Sequence, residues 1–218
     1  MILSEGFVHL HLHSQYSLLE SSITFENLLD KAKEFQMPAV AVTDYGNMFG
    51  AIEFYLAARK QGIKPILGCE VFIAPEGRFV KSVNREQGRS PQGQTFPRLV
   101  LLCQSVKGYN NLCKLVSAGY TEGFYYKPRV DYELLKTHHE DLIALSGSLH
   151  GDVPSTFLKL GAEKALEKIK FYKEIFQDRF YIEIQRSTPR DEALNQFLIG
   201  AAQDLGVELV ASSEPHYM

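Results

Sequence analysis

This sequence predicts an α/β fold closed into a distorted seven-stranded, TIM-like (β/α)7 barrel, on three observations. Seven apolar runs, at residues 7–13, 39–44, 65–74, 99–104, 142–146, 180–185 and 207–212, are each short enough to be one strand. Helical patterns separate most of them, so strand and helix alternate and a parallel sheet is expected. Polar residues with ligand chemistry gather at the ends of these runs. Histidines stand where an open doubly wound sheet would carry a glycine-rich phosphate loop.

The first run is Phe7-Val8-His9-Leu10-His11-Leu12-His13. As a strand it would put His9, His11 and His13 on one face and Val8, Leu10 and Leu12 on the other, with same-face neighbours about 6.6–7 Å apart. Imidazole is the commonest metal-binding side chain, so this face is a candidate metal site. Phe25, Leu28, Leu29, Ala32 and Phe35 then form one helical stripe, with Thr24 as its N-cap. The second strand ends at Thr43-Asp44, where Asp44 is placed either to support a histidine ligand from behind or to cap the following turn. A second helix follows through Ile52, Phe54, Tyr55 and Ala58, and the third strand carries Glu70.

Residues 75–97 have neither period and read as a polar surface loop. Its cations Arg78, Lys81, Arg85 and Arg89 are candidate phosphate-backbone contacts. So are Lys127 and Arg129, which sit among the aromatics of residues 119–129. Helices are expected near 109–120, 162–176 and 190–205. His138-His139 read as solvated residues of a polar turn. The fifth strand ends at Ser146–Ser148 with His150 just beyond, and the last strand is followed by Glu214 and His216.

Composition excludes more than it identifies. The 218 residues are 45% hydrophobic and 22% charged, ample for a core and ordinary for one globular domain over 1–218. A net charge of −3 supplies no global attraction to nucleic acid. Cys69, Cys103 and Cys113 are odd in number and form no CxxC pair, which reads as reduced thiols and a cytoplasmic location. No run is long enough to span a membrane, and the first five residues do not resemble a signal peptide.

Six segments together resemble a known family: residues 9–17 (HLHLHSQYS), 43–50 (TDYGNMFG), 64–70 (KPILGCE), 122–129 (EGFYYKPR), 145–147 (LSG) and 216–217 (HY). They are similar to the polymerase and histidinol phosphatase (PHP) domain, in the branch found at the N-terminus of bacterial DNA polymerase III alpha subunits. The order of the segments is right and they cover nearly the whole chain. The resemblance implies a PHP-type barrel whose mouth can hold up to three metal ions, used by some members for phosphoester hydrolysis.

Carried over position by position, it implies His11, His13, Glu70 and His216 as retained ligands. Glu20 and Glu214 stand where the family usually has Asp. Tyr45, Arg98 and Ser148 replace the usual His, His and Cys. A guanidinium about 4 Å from a divalent ion costs on the order of 8 kcal/mol at an effective dielectric of 20, so Arg98 argues against a trinuclear cluster. It is expected instead to pair with Glu20, Glu70 or Glu214. The expectation is a degenerate site with no metal or a substoichiometric divalent ion, and zinc or manganese if the site is active.

The role implied is a structural domain of a DNA-directed DNA polymerase. Its partners would be the rest of the polymerase chain, replisome subunits such as a proofreading exonuclease, and DNA through the full-length protein. An active metal-dependent phosphoesterase (a 3′–5′ exonuclease or pyrophosphatase) is the alternative, and a stand-alone PHP phosphatase the second. The polymerase palm, fingers and thumb are not in these residues. The chain is expected to be a fragment with its barrel truncated at the C-terminus.

Overall fold

The computed structural model describes residues 6–81, 96–186 and 191–217. Helix α1 (Phe25–Glu34) comes first, and the Thr24 hydroxyl caps it by accepting from the Asn27 N–H at 3.3 Å. Glu26 in its first turn and Lys31 and Lys33 in its last complement the helix dipole. Phe25, Leu28, Leu29 and Ala32 are buried as expected. Phe35 is exposed, because the helix ends one residue before it.

There follow β1 (Ala39–Val42), α2 (Ala51–Lys60), β2 (Lys64–Ile73), β3 (Arg98–Cys103), α3 (Val106–Thr121), β4 (Arg129–Val130), α4 (Tyr132–His138), β5 (Leu142–Leu145), α5 (Asp152–Leu160) and α6 (Ala162–Phe176). A 3-10 turn (Gln177–Arg179), β6 (Phe180–Ile184), α7 (Asp191–Leu205) and β7 (Glu208–Ala211) complete the order. The strands form one curled sheet in the order β1-β2-β3-β5-β6-β7, with β4 beside the end of β2.

The curled sheet of a mixed α/β chain keeps the expected barrel-like class, with three differences in detail. First, the sheet is mixed: β3 runs antiparallel to both β2 and β5, with Glu70 opposite Val100 and Val100 opposite Leu145. An apolar strand pattern specifies burial and leaves direction open. Second, residues 7–13 form no strand. They bend at Leu10-His11, accept from the Ala41 and Thr43 N–H groups at 2.8 Å through the His9 and Leu12 carbonyls, and donate from His13 N–H to the Pro215 carbonyl at 3.2 Å. This segment therefore bridges β1 and the chain after β7, between which there is no ladder among the described residues. Third, the seventh strand is the two-residue β4. Helices α4 and α5 were also not foreseen, and His138 ends α4 rather than lying in a turn. Arg190 lies outside the described residues, as does most of the expected 75–97 loop.

The main core lies between the outer face of the sheet and α3 to α7, including Leu101, Leu112, Leu115, Tyr172 and Phe176. A second cluster joins Leu12 to α1, α2 and β1. Inside the curl, Ala41, Val100, Leu102 and Leu145 pack with Leu10. No helix among the described residues is long and apolar enough to cross a membrane.

Candidate metal centre

The bend at Leu10-His11 undoes the expected three-histidine face. His9 turns outward against Phe7 and Ser213, whereas His11 and His13 are fully buried and converge, their Nε2 atoms 3.3 Å apart. Each ring is held from behind. His11 Nδ1 lies 2.9 Å from Glu183 Oε1, a buried carboxylate that can only accept, so this nitrogen is the donor. His13 Nδ1 lies 3.1 Å from Ser17 Oγ, whose own hydrogen goes to Asp44 Oδ1 at 2.7 Å. Ser17 must therefore accept from His13. Asp44 also accepts from the Ser14 N–H and hydroxyl, both at 2.7 Å, and so fixes His13 through Ser17.

Both rings consequently direct Nε2 inward. Glu70, near the middle of β2, places Oε2 at 3.3 Å from His13 Nε2 and 3.5 Å from His11 Nε2, yet neither Glu70 oxygen has a hydrogen-bond partner. Glu214, held at a positive φ of 40°, brings Oε1 to 3.6 and 3.9 Å from the same two nitrogens. One ligand atom from each of His11, His13, Glu70 and Glu214 lies within 4.8 Å of the others. Two imidazole lone pairs and two carboxylates pointed at one buried spot repel unless a cation sits there. This donor set fits one divalent ion, or a proton in its place.

The proton affinities follow from the same geometry. Burial opposes charge on His11, but Glu183 and Glu70 outweigh it and raise its pKa well above the ordinary value. Burial would push the Glu70 carboxyl up, and the two histidines instead pull it down to about 2. Glu214 is likewise held well below the carboxylate range, against its burial, by His13, His216 and the Ser148 hydroxyl.

Arg98 begins β3 and reaches into the mouth. Its Nη1 lies 3.6 Å from Glu70 Oε2 and 4.0 Å from Glu214 Oε1, and its guanidinium rests 4.3 Å above the Tyr45 ring. Tyr45 stacks on His13 at 3.9 Å and donates to Glu214 at 3.1 Å. The mouth is a cavity of about 370 Å³ bordered by Glu20, Tyr45, Arg98, Ser148, His150 and His216, among others. The turn that carries Ser148 depends on Gly147 at φ +80° and on Gly151, where a Cβ would lie 2.0 Å from the Ser146 carbonyl.

The remaining expected site residues are placed differently. The Glu20 side chain is exposed on the rim, carried outward by the turn that bonds its N–H to the Ser17 carbonyl at 2.9 Å. His216 stacks on His13 at 4.6 Å and approaches Glu214 at 3.7 Å, outside the four-ligand group. Among the nucleic-acid candidates, Arg85 and Arg89 lie outside the described residues. Arg78 is engaged by Glu122, Asp131 and Glu133 at 2.6–2.9 Å, and Arg129 is buried on the carbonyls of Gly123, Arg78 and Val80. Neither guanidinium is free for a phosphate backbone. Lys81 and Lys127 are exposed.

Sequence reasoning missed Glu183. Besides His11 it takes Gln185 Nε2 at 2.9 Å and the Ser212 hydroxyl on the same oxygen. The signal available was a lone acidic residue inside the apolar run at 180–185. The three cysteines are free, Cys69 buried and the others half-buried.

Comparison with known proteins accords with this geometry. The PHP domain family matches residues 9–187. The chain is 41% identical over 218 residues to DNA polymerase III subunit alpha of Deinococcus radiodurans, 41% over 218 residues to that of Aquifex aeolicus and 42% over 215 residues to that of Thermus aquaticus. These matches cover 97–99% of the chain but only 16–19% of the relatives' length. Among solved structures, a metal-dependent phosphoesterase from Bifidobacterium adolescentis superposes with a TM-score of 0.59 at 12% identity, covering 96% of this chain and 87% of that one. A two-domain protein from Bacteroides vulgatus with a PHP-like phosphoesterase unit gives 0.55 at 13% identity, covering 96% and 52%. At such identities the likeness is one of fold.

Proposed function

The chain belongs to the PHP domain family, and on that premise we propose that it is the N-terminal PHP domain of a replicative DNA polymerase alpha subunit, serving the polymerase as a structural domain in the cytoplasm. Its partners are then the rest of that polypeptide and, through the full-length protein, DNA and replisome subunits such as a proofreading exonuclease. The observation that carries the structural reading is Arg98. Its guanidinium lies in the mouth beside Glu70 and Glu214, so a further ion drawn by those carboxylates would meet a permanent cation.

The residues present would hold one ion through His11, His13, Glu70 and Glu214. A zinc or manganese ion bound there would supply Lewis acidity and an acidified water. The chain itself supplies the support: Glu183 and Ser17 hold the two rings, Tyr45 covers His13, and Arg98 pairs with Glu70 and Glu214. A stand-alone phosphatase is disfavoured, since relatives that match 97–99% of the chain are polymerase subunits.

One observation favours an active phosphoesterase as a second reading. Glu70 is fully buried with neither oxygen hydrogen-bonded, which a working metal would repair. Incubating the protein with a single-stranded oligonucleotide, pyrophosphate or p-nitrophenyl phosphate in the presence of zinc or manganese separates the two. The structural reading expects no turnover beyond that of a His11→Ala/His13→Ala variant. Turnover that this double variant abolishes sinks it in favour of the phosphoesterase.

A further inference from the structure

Helix α2 is apolar on its outer face as well as its inner one. Phe54 and Ala58 are buried beneath it, yet Ile52, Tyr55 and Leu56, spaced i, i+3 and i+4, remain 59%, 43% and 62% exposed, and Phe49, in the turn just before the helix, is 64% exposed. The row continues onto the end of α3. The Phe49 ring lies 6.2 Å from Tyr120, which stacks at 6.3 Å on Phe124, and these two are 39% and 49% exposed. Scattered exposed apolar residues are ordinary, but six on adjoining segments form a patch of the kind that partners cover. The i, i+3, i+4 pattern of Ile52, Tyr55 and Leu56 is one a helix offers to another helix.

The rim states the sign of the partner's charge. Glu53 accepts from the Tyr16 hydroxyl at 2.6 Å and Glu122 pairs with Arg78 at 2.6 Å. Arg59 and Lys60, one turn beyond Tyr55 and Leu56, outnumber Glu53 on this helix and have no carboxylate within ion-pair distance among the described residues. A two-fold dimer would set this positive rim against itself. Aliphatic Ile52 and Leu56 offer nothing for bases to stack on.

We infer that this face docks an acidic amphipathic helix of the same polypeptide, outside the 218 residues. The inference rests on the polymerase reading, because the chain spans only 16–19% of the length of its alpha-subunit relatives. A tethered segment meets the face at an effective concentration on the order of millimolar, so weak intrinsic affinity is enough to keep it covered.

The test places the photo-crosslinker p-benzoylphenylalanine at Ile52 or at Tyr120 in the full-length polymerase. Leu160, 68% exposed on α5, is the control position. The expected result is a cross-link from the first two positions, and none from Leu160, to one acidic, helically spaced peptide of the same chain. A cross-link to a second copy, a separate subunit or DNA overturns the inference, as does the absence of any.

In the same full-length chain, Ile52→Asp/Leu56→Asp is expected to speed proteolytic release of the 1–218 segment roughly tenfold or more. The same double variant of the 218-residue chain is expected to melt as wild type does. Release at the wild-type rate overturns the docking. Failure of the polymerase reading is recognised separately, from an intact mass of the native gene product that leaves no room for a polymerase beyond residue 218.

Discussion

At the scale of single residues, the site is a charge balance around one buried point. Glu70, Glu214 and Glu183 bring three carboxylates within reach of His11, and Arg98 is the only permanent cation among the described residues that touches two of them. Removing it leaves buried carboxylates with less compensation, a loss that typically costs several kcal/mol and less where the cation is partly solvated. Arg98→Ala is therefore expected to lower chelator-treated stability by about 2–4 kcal/mol, read from urea unfolding. Added zinc or manganese is expected to recover part of that loss. Arg98→His, which replaces a repelling cation by a ligand, is expected to raise metal affinity. Behind the ligands, Glu183→Gln weakens the acceptor that fixes His11 and is expected to reduce metal affinity about 10–100-fold, measured by competition with a chelating dye. An unchanged affinity would mean that His11 is oriented by packing alone.

At the scale of elements, what the sequence disclosed and what it hid have different physical origins. Thr24, the stripe of α1 and most strand-length runs were legible because capping and burial are local properties. The reversal of β3 was not, since apolar strands look alike in either direction and only the partner fixes the ladder. The irregular path of residues 7–13 was hidden for a related reason. Alternation of histidine with leucine imitates a strand, while the bonds that bend the segment come from β1 and Pro215, far away in sequence.

Arg78 shows how an element end can absorb a residue that composition assigns to a ligand. Asp131 caps α4 through the Leu134 N–H at 3.1 Å and also accepts from Arg78. Burial would raise its pKa, but the N–H groups of Arg78 and Leu134 and the Arg78 guanidinium hold it below the ordinary value. A carboxyl that is more acidic folded than unfolded adds stability above its unfolded pKa, near 4, and loses it as pH falls through the folded value. Asp131→Asn keeps a capping acceptor but removes the titration. Its melting temperature is expected to fall less steeply than that of wild type as the pH is lowered below about 4. Parallel curves would show that the Arg78 cluster contributes nothing to acid sensitivity.

At the scale of the whole molecule, a curled sheet brings to one point residues that lie up to 203 positions apart in the sequence, from His11 to Glu214. Much of this was readable, because ligand-type side chains at the ends of strand-length runs have few other reasons to recur. Glu183 was not, since a single acid in an apolar run is equally a solvent-facing residue until the sheet curls. The role proposed for Arg98 is to reduce a multinuclear site to one that holds a single ion at most. Elemental analysis of protein purified without chelator, beside the His11→Ala/His13→Ala variant, decides this. No more than one equivalent of zinc or manganese, and less in the variant, is expected; two or more equivalents, lost in that variant, would mean that Arg98 leaves room for a cluster.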